Sequence, residues 1–379
     1  MARRFTGETV FDSSINRMVE LMEQGHRCVV SFSGGKDSCI TLEIALIAAT
    51  ITGKLPLDVI MRDEEIMFPG TFEYCERVAA RPEVSFNWIY CNQPIPNIFN
   101  RDNPYWWVFD PLLPPEKWVR QPPSFAYLLP TLHIDSMTIP ERFPTDPGKE
   151  LFAVIGLRGQ ESRTRMMSIH SAKSHLTKPN KYGTRNCRPI YDWTDGDVWK
   201  AISDNHWDYN EAYDVMSRLG VSRNHLRIAP PTMTEYGADL LGMAARAWPG
   251  WFETVCNRLD GVRLAAKYGR RAVKPMRHLN ETWEQCFYRV CVNDAPEWIK
   301  ERSLWYIERK LKWHAMHSTE PLPEVASCPR CEGKTRSWKM LTDALYLGDP
   351  FALHIDKLPY MEPDFFRPGS GKWGGKPTF

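Results

Sequence analysis

Two spacings of apolar residues alternate along the first half of the chain, and they predict alternating helices and strands. Apolar residues at helical spacing predict a helix over residues 9–25, and a second such run begins near Ser38. Short runs rich in β-branched and aromatic residues predict buried strands at residues 28–31, 57–62, 84–91 and 151–157. Strands that alternate with helices indicate an α/β fold with a doubly wound, Rossmann-like parallel sheet.

This pattern changes at two points, which suggests the domain organisation. Prolines recur through residues 93–149 together with aromatic side chains and Arg120, and such an insertion either stacks on a flat ligand or packs onto its own domain. From about residue 226 onward, the apolar residues follow helical spacing. We therefore expect a sheet-containing domain over 1–225 that carries the insertion. A mostly helical region over 226–379 follows, with a flexible glycine-rich tail.

The composition is that of a globular protein, since 43% of the 379 residues are hydrophobic, 25% are charged and the formal net charge is +2. The opening Met1-Ala2-Arg3-Arg4 leads into a polar segment, and the longest apolar run, residues 40–51, is too short to span a bilayer. The ten cysteines are spread along the chain, as is typical of reduced thiols. These features predict a cytoplasmic protein without membrane contact.

One local excess of charge lies in the helical region. Seven arginines and lysines between residues 258 and 277 face a single acidic residue, Asp260. Such a run is either a solvated helix face or a surface for nucleic acid or another partner. The sequence leaves both interpretations open.

The strand at residues 28–31 runs without a break into Ser33-Gly34-Gly35-Lys36-Asp37-Ser38, and a helix follows. Two adjacent glycines let the backbone approach an anion, and the amides of a helix N-terminus point towards it. Hydroxyl groups and one lysine complete the cradle. This stretch predicts a loop for the pyrophosphate part of a di- or triphosphate, and an ordinary glycine turn is the alternative. Its spacing differs from the Walker A loop and from the dinucleotide-binding fingerprint.

Further polar residues follow two other predicted strands. Asp63 follows the strand at 57–62. The strand at 151–157 is followed by Arg158, Glu161, Ser162, Arg163 and Arg165. Because ligands bind at the carboxyl ends of parallel strands, we expect Asp63 at the nucleotide crevice and the three arginines around a polyanion. A solvated acidic turn and a purely structural ion-pair cluster are the alternatives.

Four cysteines in the helical region form a candidate metal site. Cys328-Pro329-Arg330-Cys331 has the Cys-x-x-Cys spacing, and Cys286 and Cys291 lie upstream. Four thiolates would hold Zn²⁺ or an iron–sulfur cluster. Buried cysteines without a ligand are the alternative.

Several motifs agree in order and spacing with a known family. They are the loop at 33–38, the stretch 63–71 ending in Phe-Pro-Gly-Thr, Gly156-Leu157-Arg158 with Glu161, Ser162 and Arg165 behind it, and Pro189-Ile190-Tyr191-Asp192-Trp193 followed by Asp197-Val198-Trp199. As a set they resemble the phosphoadenosine phosphosulfate (PAPS) reductase family of the PP-loop ATP pyrophosphatase (adenine nucleotide alpha hydrolase) superfamily. Residues 209–220, Arg227, residues 251–261 and residues 336–339 are similar to a phage and immunoglobulin-binding regulator A-like branch, whose partner is a ParB-like protein.

The resemblance implies an enzyme that binds ATP, or a PAPS- or APS-type nucleotide, with Mg²⁺. A nucleophile then attacks the α-phosphorus and pyrophosphate leaves, in sulfur or nucleic-acid modification. The residues with implied catalytic roles are Lys36, Asp37, Arg158 and Arg163. Those with implied nucleotide-binding roles are Ser31, Ser33, Gly34, Gly35, Ser38, Asp63, Gly156, Glu161, Ser162 and Arg165. A homo-oligomer is expected as well.

Departures from the family leave two other functions open. The Glu-Cys-Gly-x-His motif and the adjacent cysteine pair of the family's reductases do not occur in this sequence. A thiol-dependent PAPS reductase would therefore need Cys328 or Cys331 as its nucleophile. The other alternative is a nucleotide-binding regulatory protein that acts with a ParB-like protein or DNA.

Overall fold

A computed structural model describes residues 7–129, 137–172, 174–233, 235–355 and 357–367. The chain divides into two compact units, and both are discontinuous in sequence. The first comprises Met1–Gln93 and Val108–Pro230, and the second comprises Pro94–Trp107 and Pro231–Phe379. The glycine-rich tail lies outside the described residues.

The first unit is built on a six-stranded sheet in which every strand is parallel to its neighbours. Its strands are β1 (Arg27–Ser31), β2 (Leu57–Asp63), β3 (Val84–Cys91), β6 (Tyr127–Leu129), β7 (Leu151–Ile155) and β8 (Arg185–Cys187). Their spatial order is β6-β3-β2-β1-β7-β8. The predicted α/β fold with a doubly wound parallel sheet is therefore confirmed.

The strand order reverses at β1, which lies in the middle of the sheet. Val30 of β1 is in register with Val59 of β2 on one side and with Val154 of β7 on the other. The chain builds outward from β1 through β2 and β3, and then returns to place β7 on the opposite side. In open α/β sheets a crevice forms at such a reversal, outside the carboxyl ends of the strands. This topology places the crevice between β1 and β7.

Among the described residues, six α-helices belong to the first unit. They are α1 (Val10–Glu23), α2 (Lys36–Thr52), α3 (Thr71–Ala79), α4 (Arg163–Ala172), α5 (Asp195–Asn205) and α6 (Ala212–Arg218). Helix α2 is buried without interruption from Ser38 to Leu46 and forms the centre of the main hydrophobic core. Its one acidic core residue, Glu43, pairs with Arg81. A helix enclosed in this way has a fixed position, so the loop at its N-terminus is held rigidly against the sheet.

The second unit is mostly helical, as the sequence predicts. It contains a short antiparallel hairpin formed by β4 (Pro94–Pro96) and β5 (Tyr105–Trp107). Its α-helices are α7 (Glu235–Ala247), α8 (Pro249–Arg258), α9 (Val262–Tyr268), α10 (Trp283–Tyr288), α11 (Glu297–Ala315) and α12 (Trp338–Leu345). The helical pattern over residues 251–267 is divided at Gly261, which has a φ of +85°. This positive φ excludes a continuous right-handed helix. A Cβ atom there would lie 2.4 Å from the Phe99 carbonyl oxygen, so the position requires glycine.

Three of the seven basic residues at 258–277 pair with carboxylates of their own unit. Arg270 pairs with Asp239 and Lys274 pairs with Glu235, each at 2.7 Å, and Arg263 pairs with Glu253. Arg258 donates to the Trp107 carbonyl oxygen at 2.6 Å. These three ion pairs are the kind expected of a solvated helix face. Within the described part of the chain, the helices are too short or too polar to cross a membrane.

Gly156, directly after β7, lies against the main chain at the start of α2. A Cβ atom there would lie 2.7 Å from the Asp37 carbonyl carbon and oxygen and 2.9 Å from the Ser38 nitrogen. We expect Gly156→Ala to lower the free energy of unfolding by about 1–3 kcal/mol, because the added methyl group meets main-chain atoms of a buried helix. Urea denaturation followed by circular dichroism measures this change.

Gly196→Ala in α5 is the matched control. Its Cβ atom would meet only the Thr194 Oγ1 atom, at 3.5 Å. Alanine has the higher helix propensity, so this variant should be as stable as the wild type or slightly more stable. Equal stability of the two variants would contradict the close approach at Gly156.

Candidate functional site

The loop between β1 and α2 lies at the strand-order reversal and has a backbone that only glycine can adopt. Gly34 has a φ of +71°, and a Cβ atom there would lie 2.9 Å from both the Thr71 Cγ2 and the Cys75 Sγ atoms. Gly35 is the N-cap of α2, where its carbonyl oxygen accepts from the Cys39 nitrogen at 2.8 Å. The loop is therefore tight, packed against α3 and continuous with a helix N-terminus, which favours an anion.

Two hydroxyl groups converge inside this loop. The Ser33 and Ser38 Oγ atoms are 3.2 Å apart, and the Ser33 nitrogen donates to the Ser38 Oγ at 3.3 Å. Ser38 in turn donates to the Gly35 carbonyl oxygen at 2.9 Å. The predicted loop residues are thus brought together as a compact set of donors.

Lys36 is buried beside the loop, with 8% of its surface exposed. Its ammonium group donates to the Leu226 carbonyl oxygen at 3.3 Å and lies 3.7 Å from an Asp195 carboxylate oxygen. Burial lowers the pKa of Lys36. The negative charges of Asp37 and Asp195 oppose this effect, and the positive charges of Arg158 and Arg227 add to it. An additional anion at this position would stabilise the charged form of the lysine.

Arg158 connects the end of β7 to the start of α2. Its guanidinium forms two hydrogen bonds with Asp37, at 2.7 and 3.3 Å, and lies 3.5 Å from Asp195. The side chain is only 3% exposed. Asp195 also pairs with Arg223 at 3.0 Å. The predicted catalytic residues Asp37 and Arg158 therefore form a buried ion pair that fixes their orientation.

The residues after Arg158 form the rim of the site. Glu161 pairs with Arg165, and Ser162 accepts from the Arg165 nitrogen at 3.2 Å at the start of α4. Burial lowers the pKa of Arg165, and Arg227 and Arg158 lower it further, whereas Asp37 opposes the change. Arg165 is thus electrostatically coupled to the loop. Arg163 is exposed at the first residue of α4.

A cavity of about 460 Å³ adjoins the loop in the same unit. Its walls include Ser31 and Ser33 from the loop side and Ile155 from β7, together with Arg62 near the end of β2 and Glu64 directly after it. The lining also includes the polar side chains of Thr138, Asn180, Thr184 and Asn186. Its volume falls within the range of small-molecule sites.

Asp63 lies at the end of β2, as predicted, and its side chain is held by protein groups. It is fully buried, accepts from the Glu65 nitrogen and the Trp88 Nε1 atom at 2.9 Å each, and pairs with Arg120. Glu65 in turn accepts from the Phe109 nitrogen at 2.5 Å. These contacts anchor residues 109–120 to the sheet, which favours a structural role for Asp63 over the predicted contact with adenosine. Arg120 likewise packs over Phe72, 3.6 Å from the ring centroid, as part of this anchor.

Sequence reasoning missed several residues that hold the loop. The Tyr213 hydroxyl accepts from the Lys36 nitrogen at 3.0 Å. Asn210 donates to the Gly34 carbonyl oxygen at 3.1 Å and to Thr71 at 2.8 Å. Asp195 contacts Lys36, as described above. The chain from 195 to 213 carries no strand-end signal, so only the family resemblance drew attention to residues 209–220.

The cysteines of the second unit do not gather as predicted. Cys328 and Cys331 lie with His314, and the potential ligand atoms of all three are within 4.8 Å of one another. Cys291 contacts the Thr342 carbonyl oxygen, and Cys286 contacts the Met276 carbonyl oxygen, each at 3.9 Å. The structure therefore does not bring the four predicted cysteines together, and it groups Cys328 and Cys331 with a histidine instead. His314 was missed because it lies in a helix, 14 residues before the Cys-x-x-Cys motif.

The position of Asp63 predicts a structural role for this carboxylate. Asp63→Asn should lower the free energy of unfolding by about 3 kcal/mol, because it leaves Arg120 buried without its counter-charge. Asp58→Asn in the same strand is the control, because Asp58 pairs with the partly exposed Arg27. This substitution should lower the free energy of unfolding by less than about 1 kcal/mol. Urea unfolding gives both values. An Asp63→Asn protein of normal stability that fails to bind nucleotide would contradict this role.

No protein-family model matches the chain. It is 25% identical over 386 residues to the uncharacterized protein YbdN of Escherichia coli (strain K12), with 94% of this chain and 93% of that protein covered.

Solved structures overlap with parts of the chain. FMN adenylyltransferase of Candida glabrata in complex with ATP has a TM-score of 0.35 and 13% identity over 54% of this chain and 57% of that one, so the chain spans just over half of that enzyme's length. PAPS reductase from Candida auris has a TM-score of 0.32 and 15% identity, over 57% of this chain and 94% of that one. The U34-tRNA thiolase NcsA of Methanococcus maripaludis with its [4Fe-4S] cluster has a TM-score of 0.33 and 10% identity, over 68% of this chain and 78% of that one. TM-scores of this size describe partial overlaps, so the chemistry of this chain is inferred from its own residues.

Proposed function

We propose that the chain binds ATP, or a related adenine nucleotide, and transfers its adenylyl group with release of pyrophosphate. The observation that carries this proposal is the loop at residues 33–38. It combines a glycine-only backbone, two convergent hydroxyls and a buried lysine at the N-terminus of α2, and it lies at the strand-order reversal of a parallel sheet.

The charges around the loop support a polyanionic ligand. Four cationic side chains interact electrostatically here, namely Lys36, Arg158, Arg165 and Arg227, against the carboxylates of Asp37 and Asp195. Burial already lowers the pKa of Lys36 here, and Glu161 pairs with Arg165 at the rim. A pyrophosphate group would add charge-assisted hydrogen bonds to these cationic side chains.

The adjoining cavity supports a nucleoside as the rest of the ligand. Its walls combine apolar atoms of Phe32 and Ile155 with side-chain amides of Asn180 and Asn186. Amide groups can pair with the polar edge of a base, and the apolar wall can cover its face. Ser31 and Ser33 join this cavity to the phosphate loop.

In the proposed reaction, a nucleophile attacks the α-phosphorus and the bond from that phosphorus to the bridging oxygen breaks. The leaving pyrophosphate carries the electron pair of that bond. Lys36 and the loop amides stabilise the charge that develops on it. With water as the acceptor, the products are AMP and pyrophosphate, and the proton of the attacking water passes to solvent.

Mg²⁺ fits the donor set near the loop. The carboxylates of Asp37 and Asp195 are hard oxygen ligands of the kind Mg²⁺ prefers, although both are paired with cationic side chains. Together with phosphate oxygens they would hold the ion, which supplies neutralisation of charge on the leaving group.

A thiol-dependent reductase receives less support. Nine of the ten cysteines are buried and Cys256 is half-buried. The candidate nucleophiles Cys328 and Cys331 are only 5% and 1% exposed. A nucleophilic cysteine needs access to its substrate. A regulatory protein that binds ATP without turnover is distinguished from the proposal by the following experiment.

Incubation of the pure protein with ATP and Mg²⁺, followed by ion-exchange chromatography, should give AMP and pyrophosphate. Lys36→Ala should lower the rate by about 30- to 1,000-fold, corresponding to a barrier higher by roughly 2–4 kcal/mol. Lys54→Ala is the matched control, because Lys54 is exposed just beyond the opposite end of α2. Wild-type protein that binds ATP but leaves it intact would point to a regulatory protein or a missing acceptor.

The lowered pKa of Lys36 predicts a pH dependence of nucleotide affinity. As the pH rises from neutral to alkaline, Lys36 loses its proton earlier than an exposed lysine does, so ATP affinity should fall. Lys36→Arg should remove this dependence, because arginine stays protonated throughout. Isothermal titration calorimetry with a non-hydrolysable ATP analogue measures it. An alkaline loss of affinity that is the same in both proteins would assign the titration to another group.

A further inference from the structure

The segment between α11 and α12 has little regular structure of its own. Residues 316–337 contain one turn of 3-10 helix, Pro329–Cys331, and otherwise turns and bends. The buried apolar side chains of this segment are Leu322, Cys328 and Cys331. A connection of this length inside a compact unit is uncommon unless something other than a hydrophobic core holds it. The two cysteines and His314 are at the place where it folds back onto α11.

The Cys-x-x-Cys turn directs both thiols to one side. The Cys331 nitrogen donates to the Cys328 carbonyl oxygen at 3.3 Å, and the Lys334 nitrogen donates to the Cys331 carbonyl oxygen at 2.9 Å. Glu332 and Gly333 follow with φ values of +49° and +73°, which reverse the chain directly after the second cysteine. Cys328 is 5% exposed and Cys331 is 1% exposed.

His314 is held with one nitrogen facing the thiols. Its Nε2 atom lies 2.8 Å from the Glu320 carbonyl oxygen, which can only accept a hydrogen bond, so Nε2 carries the proton. In the neutral ring, Nδ1 then has the free lone pair, and it lies 3.2 Å from the Cys331 Sγ atom. A carbonyl that fixes the tautomer of a histidine through its second nitrogen is the usual support of a metal-binding imidazole.

We propose that His314, Cys328 and Cys331 bind a zinc ion that ties the 316–337 segment to the end of α11. With Zn–S bonds of about 2.3 Å and Zn–N bonds of about 2.0 Å, the ligand atoms of a tetrahedral site are ~3.6–3.8 Å apart. The three ligand atoms lie within 4.8 Å of one another, so small side-chain adjustments suffice. Binding releases the two thiol protons to solvent and uses the Nδ1 lone pair, and water occupies the fourth position.

The donor set favours zinc over the other metals that cysteines bind. Two thiolates and one imidazole are soft and borderline ligands, which exclude Mg²⁺ and Ca²⁺. An iron–sulfur cluster ordinarily uses more cysteine ligands. The other two cysteines of the predicted four-cysteine site, Cys286 and Cys291, make separate contacts with main-chain carbonyl oxygens. The site belongs to the second unit and the phosphate loop to the first, so zinc content can be measured without nucleotide turnover.

The test is the metal content of the full chain, purified without chelators or an affinity tag that binds metals. Inductively coupled plasma mass spectrometry should find about one zinc per chain in the wild type. The Cys331→Ser variant should lose most of this zinc. Cys291→Ser is the matched control, because Cys291 is equally buried in the same unit but lies outside the site, and it should keep its zinc. Loss of zinc in both variants to the same extent would overturn the proposed ligand set.

A second measurement covers the case in which Cys331→Ser does not fold. Wild-type protein, stripped with a chelator and reloaded with Co²⁺, should show thiolate-to-cobalt charge-transfer absorption and the intense visible bands of a tetrahedral site. Its thermal unfolding temperature should fall on stripping and recover with Zn²⁺. Wild-type protein that contains no zinc and binds no Co²⁺, or that shows the absorption of an iron–sulfur cluster, would overturn the proposal.

Discussion

The position of α2 depends on two close approaches of main chain that leave no room for a side chain. Gly156 brings the end of β7 against the first turn of the helix, and Gly34 brings the loop against α3. Because the helix is buried along its length, its N-terminus cannot shift to relieve a clash at either point. The amides, hydroxyls and lysine of the loop therefore owe their fixed arrangement to the absence of two Cβ atoms.

The electrostatics of the site follow from this rigidity. A buried lysine and several arginines are held near one another beside the carboxylates of Asp37, Asp195 and Glu161, and burial lowers the pKa of Lys36 and of Arg165, so a polyanion would stabilise their charged forms. Asp37 has a structural part in this arrangement, since its pair with Arg158 connects the two strands that border the crevice. The same charges that orient the site thus also create its preference for anionic ligands.

Much of the fold and part of the site could be predicted from the sequence, because they depend on local patterns. The strand and helix periodicity gave the parallel sheet, and the glycines and hydroxyls of residues 33–38 indicated the loop. The strand end predicted the position of Asp63 but not its ion pair with Arg120, because a position at a strand end does not reveal what lies opposite the side chain. Asp195, Tyr213 and His314 act through contacts between segments that are distant in sequence, which no local pattern encodes.

The hairpin of β4 and β5 has a consequence for how the protein is made. It is synthesised before most of the first unit, yet it belongs to the second, whose remaining residues begin only at Pro231. Trp106 and Trp107 are buried in the finished protein, at 4% and 8% exposure. During synthesis these two side chains stay exposed until the C-terminal helices have been made. In a fragment that ends at residue 230, the residues that bury them are missing. A fragment limited to the first unit therefore has to leave out or replace the hairpin, so that Trp106 and Trp107 are not exposed.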